Sequence, residues 1–157
     1  MMMREQPTAR SATAAVELAV CLPMLLIVLS GIWEVGRMVQ VQNVVWAAAR
    51  EGGRQAAAGL TSNATIVQFM TDYLNANGLT GVTTSMVTLT NVTSSARSNP
   101  TAANQMDQFQ VNIAVPYSTI QWSTIAQITP TTTLTASTTW YSMLDTPCTI
   151  NTTIPTN

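Results

Sequence analysis

The carboxylates of this chain are Glu5, Glu17, Glu34, Glu51, Asp72, Asp107 and Asp145, and no two are spaced to divide acid and base duty between them. Histidine is absent, which removes histidine-based triads and most zinc sites. The one glycine pair flanked by charge, Glu51-Gly52-Gly53-Arg54, is too short for a phosphate-binding loop and lies within a helical pattern. Neither enzymatic activity nor a cofactor or metal is therefore expected. The chemistry that remains is electrostatic, and its most informative residue is Glu17.

Glu17 stands near the start of an apolar run from Ser11 to Trp33, SATAAVELAVCLPMLLIVLSGIW. A charge inside a membrane helix costs roughly 2.5 to 3.5 kcal/mol on insertion scales, so Glu17 either signals a partner or sits at the cytoplasmic interface and reaches water. From Leu18 to Trp33 no residue is charged, and with Ala12 to Val16 the stretch reaches the roughly 20 residues that span a bilayer. Arg4 and Arg10 precede it, as in a secretory signal or a signal anchor. The small triplet Ala47-Ala48-Ala49 lies well beyond Trp33, too far to close a signal peptide, so the run is expected to stay as an anchor. Cys21 reads as a small apolar filler within it, and Cys148 lies too far away in character and position for a disulfide.

The elements that must position these groups follow from periodicity. After Trp33, which suits an interfacial position, the helical pattern continues. Val41, Val44, Val45, Ala48 and Gly52 share one face, opposite Asn43, Arg50 and Arg54. A helix from Ala12 to Ala58 would be roughly 70 Å long, stopped by Gly59 and kinked at Pro23. Ser62 or Asn63 can cap a second helix, Ala64 to Asn77, with Ile66, Val67, Met70, Tyr73 and Leu74 as its apolar stripe and Asn77-Gly78 as its end. The period then changes to two. Val82 to Val92, Phe109 to Tyr117 and Thr131 to Tyr141 read as strands, with a loop from Ser94 to Gln105. Helix, helix, then strands implies an α+β fold: a long N-terminal helix continuing as an amphipathic stalk, a second helix, and a small antiparallel sheet of three to four strands.

Charge sets the remaining bounds. Only 8% of the 157 residues are charged, lysine is absent and the net charge is -1, which leaves no electrostatic case for nucleic acid. The positive-inside rule discriminates little, since Arg4 and Arg10 on one side face Arg37, Arg50 and Arg54 on the other. The Thr-rich, lysine-free remainder suggests an extracytoplasmic domain. Glu34 and Arg37 can pair one turn apart, and Arg50, Glu51 and Arg54 form a charged cluster, either a solvated helix face or a set of subunit contacts. Ile120, Trp122, Ile125 and Ile128 make an apolar loop that reads as a lid over the sheet or a docking patch. The tail from Thr146 to Asn157 reads as flexible. The sequons at Asn63, Asn91 and Asn151 are expected by chance in a chain so rich in threonine.

Three motif elements occur in order: Arg10-Ser11-Ala12-Thr13-Ala14-Ala15-Val16-Glu17 with Leu18-Ala19-Val20-Cys21-Leu22-Pro23, then Glu34-Val35-Gly36-Arg37, then Ala48-Ala49-Arg50-Glu51-Gly52-Gly53-Arg54. Together, over about Arg10 to Ala58, they resemble the N-terminal region of TadE-like proteins, minor pseudopilins of the tight-adherence, type IVb (Flp) pilus system. The later helix and strands are compatible with a pilin-like periplasmic domain. The resemblance implies a prepilin peptidase that cuts on the cytoplasmic side, after the residue five before the glutamate. Here that residue is Ala12, where glycine is usual, and Leu18 follows the glutamate where an aromatic residue is usual. Thr13 would be the new N-terminus and Glu17 its fifth residue. It further implies that Glu17 faces the free amine of a neighbouring subunit, a pairing of two charges that would each otherwise be desolvated alone.

The resemblance thus implies a cytoplasmic leader over 1–12, a transmembrane segment over 13–33, a helical stalk over 34–59, a periplasmic α+β domain over 60–145 and a flexible tail over 146–157. Its implied partners are the prepilin peptidase, the Flp-type major pilin, other minor pseudopilins and the inner-membrane assembly platform. Its implied location is the cytoplasmic membrane, single-pass, with the C-terminal domain outside and a place in the pilus open. Arg10, Ala12, Thr13 and Glu17 would carry processing and assembly, and Glu34, Arg37, Arg50 and Arg54 are candidate subunit contacts. The alternative is an unprocessed membrane-anchored adhesin or ligand-binding domain, for which the helix is only a tether.

Overall fold

The computed structural model describes residues 8–119 and 132–144. The chain divides into two units, Met1–Gln40 and Val41–Asn157, and the division falls inside one helix, α1, which runs from Thr8 to Ala58. The first unit is helical throughout its described part, and its backbone stays helical through Pro23.

In the second unit the remainder of α1 is followed by α2 (Asn63–Ala76) and three strands, β1 (Val87–Asn91), β2 (Gln108–Pro116) and β3 (Thr133–Tyr141). The strands form one antiparallel sheet in the order β1-β2-β3. This is the expected α+β arrangement, with three strands among the described residues.

Local chemistry explains the helix ends. Gly59 adopts φ 66°, a left-handed conformation that releases the chain from α1. Ser62 caps α2, its Oγ accepting from the Thr65 amide at 3.3 Å, so of the two expected caps Ser62 is the one used and Asn63 is the first helical residue. Asn77 and Gly78, the latter at φ 89°, close α2.

The first strand is shorter than its composition implies. Val82 to Val92 is β-branched, yet the chain enters the sheet only at Val87. The Val82 amide donates to Leu79 O at 3.1 Å and Asn75 Nδ2 donates to Val82 O at 3.1 Å, which hold 79–82 as a turn against α2. A 3₁₀ turn, Thr84–Met86, then delivers the chain to β1. The expected loop from Ser94 to Gln105 carries two further 3₁₀ turns, Ser95–Arg97 and Pro100–Ala102. The expected apolar loop at Ile120 to Ile128 and the expected tail from Thr146 lie outside the described residues.

The core of the second unit lies between the helices and one face of the sheet. Ile66, Met70 and Leu74 of α2, Val41 and Val45 of α1, and Phe109, Val111, Ile113 and Val115 of β2 are all essentially inaccessible to solvent. Each contributes about 1.5 to 3 kcal/mol relative to an exposed position. Small residues on α1 let its neighbours approach closely. A Cβ at Gly52 would overlap Met70 Sδ of α2, and one at Gly53 would overlap the Trp140 indole of β3. Side-chain amides occupy main-chain carbonyls of both outer strands: Asn63 Nδ2 donates to Leu89 O of β1 and Gln42 Nε2 to Thr135 O of β3, each at 2.9 Å.

Candidate functional site

The part of α1 from Ala12 to Trp33 is exposed at every residue. Val16, Leu18, Val20, Met24, Ile27, Val28 and Ile32 are each more than 60% accessible, an arrangement that no water-facing helix sustains without a covering medium. The helix is long and apolar enough to cross a membrane, which fits a single-pass anchor. Cys21 is exposed on it, rather than packed inside the chain.

Glu17 is exposed in this segment, and Thr13 lies one helical turn before it on the same face. The bond after Ala12 falls inside α1, so residues 8–12 of the expected leader belong to the same helix as the segment they precede. Arg10 is also within α1. The structure therefore places Arg10, Ala12, Thr13 and Glu17 on one continuous helix, with Thr13 and Glu17 facing the same way. Glu34 and Arg37 lie one turn apart further along, and both are half-buried.

Of the charged cluster expected on the stalk, Glu51 and Arg54 form the pair. Arg54 Nε donates to Glu51 Oε2 at 2.9 Å and Arg54 Nη2 to Oε1 at 2.6 Å, a two-pronged contact that Gln55 Nε2 joins at 3.3 Å. Hydrogen bonding from Arg54 lowers the Glu51 carboxyl below its ordinary range and raises the Arg54 guanidinium. Arg50 is exposed.

One polar constellation escaped the sequence reading. Asp107 is only 2% accessible, and Arg97 clamps it with Nε at 2.8 Å from Oδ2 and Nη2 at 3.0 Å from Oδ1. The Asn104 amide and Asn91 Nδ2 also donate to Oδ2, at 2.9 and 3.3 Å. Arg97, then the Asn104 amide, hold the Asp107 carboxyl well below the usual carboxylate range despite its burial. Asn91 completes the knot: its Oδ1 accepts the Thr93 and Ser94 amides, and its Nδ2 also reaches Arg97 O. The signal available beforehand was the pairing itself. Arg97 is the sole cation after Arg54, and Asp107 directly precedes a strand.

With both carboxylate oxygens occupied, this constellation is a fastener for the 92–107 segment and offers no free base. Two sequon asparagines are likewise spent on structure, since Asn63 Nδ2 and Asn91 Nδ2 both donate to main-chain carbonyls. Among the described residues no three metal-ligating side chains cluster.

The family model described as TadE-like protein matches residues 12–54. The N-terminal segment is TadE-like. The match begins at Ala12, takes in Glu17 and the Glu34 to Arg37 element, and ends at Arg54, so it covers all three motif elements quoted above apart from Arg10 and Ser11. The likeness is to proteins of the Tad pilus system, and the residues after 54, including α2 and the sheet, lie outside it. No curated protein and no solved structure matches the chain.

Proposed function

We propose that this protein is a non-enzymatic minor pseudopilin, anchored in the cytoplasmic membrane by α1, with an extracytoplasmic α+β domain that helps start or cap assembly of a Flp-type pilus. The observation that carries this reading is the TadE-like match falling on an exposed, apolar helix with a lone acid near its start. A neutral helix of that kind needs only lipid, whereas Glu17 needs a partner as well.

Cleavage after Ala12 by a prepilin peptidase creates that partner. It releases an amine at Thr13, one turn from Glu17 and on the same helical face. In a bundle of such helices, the Glu17 carboxylate of one subunit and the Thr13 amine of the next pair at one axial register, and any other register leaves two desolvated charges unpaired. The pair therefore fixes stagger more than it adds affinity. Half-buried Glu34 and Arg37, and exposed Arg50 and Arg54, are the positions where further subunit contacts would form, Arg54 while paired with Glu51.

Two measurements test the reading. Mass spectrometry of the protein extracted from its native membrane is expected to show an N-terminus at Thr13, and an intact start at Met1 or a neighbouring methionine would remove the maturation step. Glu17→Leu is expected to leave the protein membrane-bound but to abolish or strongly reduce piliation. Normal piliation in that variant would overturn the assembly role.

A further inference from the structure

The side of the sheet turned away from the helices has an unusual composition. None of β1, β2 and β3 contains a charged residue, although outer strands commonly carry charge to deter edge association. The register aligns two polar rows across all three strands on this side: Thr88, Asn112 and Ser137 in one, Thr90, Gln110 and Thr139 in the next. The hydroxyl-bearing members of both rows are exposed. Gln110 Nε2 donates to Ser137 Oγ at 3.2 Å, and Thr88 Oγ1 and Thr90 Oγ1 donate to the carbonyls of Asn112 and Gln110, which orients these four side chains on the sheet.

At the β3 end this surface runs into an open pocket of about 530 Å³, lined by Thr139 and Tyr141 with Gln105, Met106 and Met143. Tyr141 is 52% accessible and lies on the same side as the polar rows. Its opposite wall is built with some insistence. Met106 adopts φ 65°, a conformation disfavoured for any residue with a Cβ, and presents a side chain 66% accessible. The Met106 amide donates to Ser142 O at 3.1 Å and the Ser142 amide to Asp107 O at 2.8 Å, which ties that wall to the buried Arg97–Asp107 clamp.

The chemistry selects among partners. Nucleic acid and anionic surfaces need cations, and Arg97, the cation of the 92–107 segment, is engaged by Asp107. An amphipathic helix needs an apolar groove, and this side presents rows of hydroxyls and amides. A ligand that offers many hydroxyls without charge, and apolar C–H faces for an aromatic ring, complements both the rows and Tyr141. We propose that this sheet face and the pocket at its Tyr141 end bind an uncharged polysaccharide. The proposal is independent of the assembly reading, because it uses no residue of the TadE-like segment.

The test is co-sedimentation of the full-length protein, held in a detergent without a sugar headgroup, with particles of cellulose, chitin and cross-linked dextran, and with alginate gel and DNA-cellulose as charged comparisons. The expected result is retention on at least one neutral polymer that persists at high salt and falls roughly tenfold in Tyr141→Ala, the scale of losing one central aromatic contact. Gln110→Ala, which removes a row member without touching the core, is expected to weaken retention as well. Glu17→Leu is expected to leave it unchanged, which separates this surface from pilus assembly. Absence of retention on all neutral polymers, stronger retention on alginate than on every neutral polymer, stronger retention on DNA-cellulose than on bare cellulose, or retention indifferent to both sheet-face variants would overturn the proposal.

Discussion

Asn63, the first residue of α2, donates from its side-chain amide to the carbonyl of Leu89 in β1 at 2.9 Å and to Ser98 O at 3.1 Å. One side chain thereby joins a helix start, a sheet edge and the loop beyond it. Asn63→Ala removes both donations and is expected to cost about 1 to 2 kcal/mol. Asn63→Asp is expected to cost more, because it places a carboxylate against two carbonyl oxygens. Urea unfolding of the two variants, followed by tryptophan fluorescence, checks the order; an aspartate variant more stable than the alanine one would show that the amide is not acting as a donor.

The Arg97–Asp107 clamp makes stability depend on pH in a predictable direction. The Asp107 carboxyl is depressed in the folded protein by Arg97 and the Asn104 amide. A depressed carboxyl contributes stability that is fully present above its unfolded value of about 3.9 and is lost as pH falls toward the folded value. The wild-type thermal midpoint is therefore expected to fall below about pH 5, and more steeply than that of Asp107→Asn. Glu51, lowered by Arg54, adds a dependence of the same sign, but it is present in both proteins and cancels in the comparison. Equal slopes for wild type and Asp107→Asn would mean that the clamp does not set the acid response.

Close approach at Gly53 gives a prediction about packing. A side chain there would collide with the Trp140 indole, so Gly53→Val is expected to destabilise by about 1 to 3 kcal/mol. Trp140→Leu removes the obstacle. The double variant is expected to lose less stability than the two single losses added together, a coupling that a double-mutant cycle of unfolding energies measures. Additive losses would place the strain of Gly53→Val elsewhere.

Periodicity carried most of this architecture. The stop at Gly59, the stripe of α2 and the alternation from Phe109 to Val115 each appear where a local pattern puts them, because each depends on residues close in sequence, although the strand ends at Pro116 and Tyr117 opens a 3₁₀ turn. What stayed hidden depends on residues far apart. Val82 to Met86 reads as strand by composition, and Asn75, reaching from α2, together with the Val82 amide bond to Leu79 O, turns it away from the sheet. Asp107 looked like one scattered acid, since nothing local tells that Asn91, Arg97 and Asn104 close around it. For the proposed assembly site the sequence supplied Glu17 and its apolar surroundings, and the structure added that Thr13 shares its face and that the bond after Ala12 lies within helix.

That last placement yields a prediction about maturation. A peptidase must draw the bond between Ala12 and Thr13 out of the i to i+4 hydrogen-bond ladder before its backbone can be attacked. Glycine lowers helix stability by roughly 1 kcal/mol relative to alanine, so Ala12→Gly is expected to open the segment more readily while keeping the smallest side chain at the cut. Ala12→Leu keeps a strong helix former and adds bulk there, and is expected to slow the cut. Pulse-chase in the native host, with the mature and full-length chains separated by mass, is expected to give the order Gly, Ala, Leu from fastest to slowest. Equal rates for glycine and alanine, with leucine blocked, would assign the effect to side-chain size alone and remove helix opening as the limiting step.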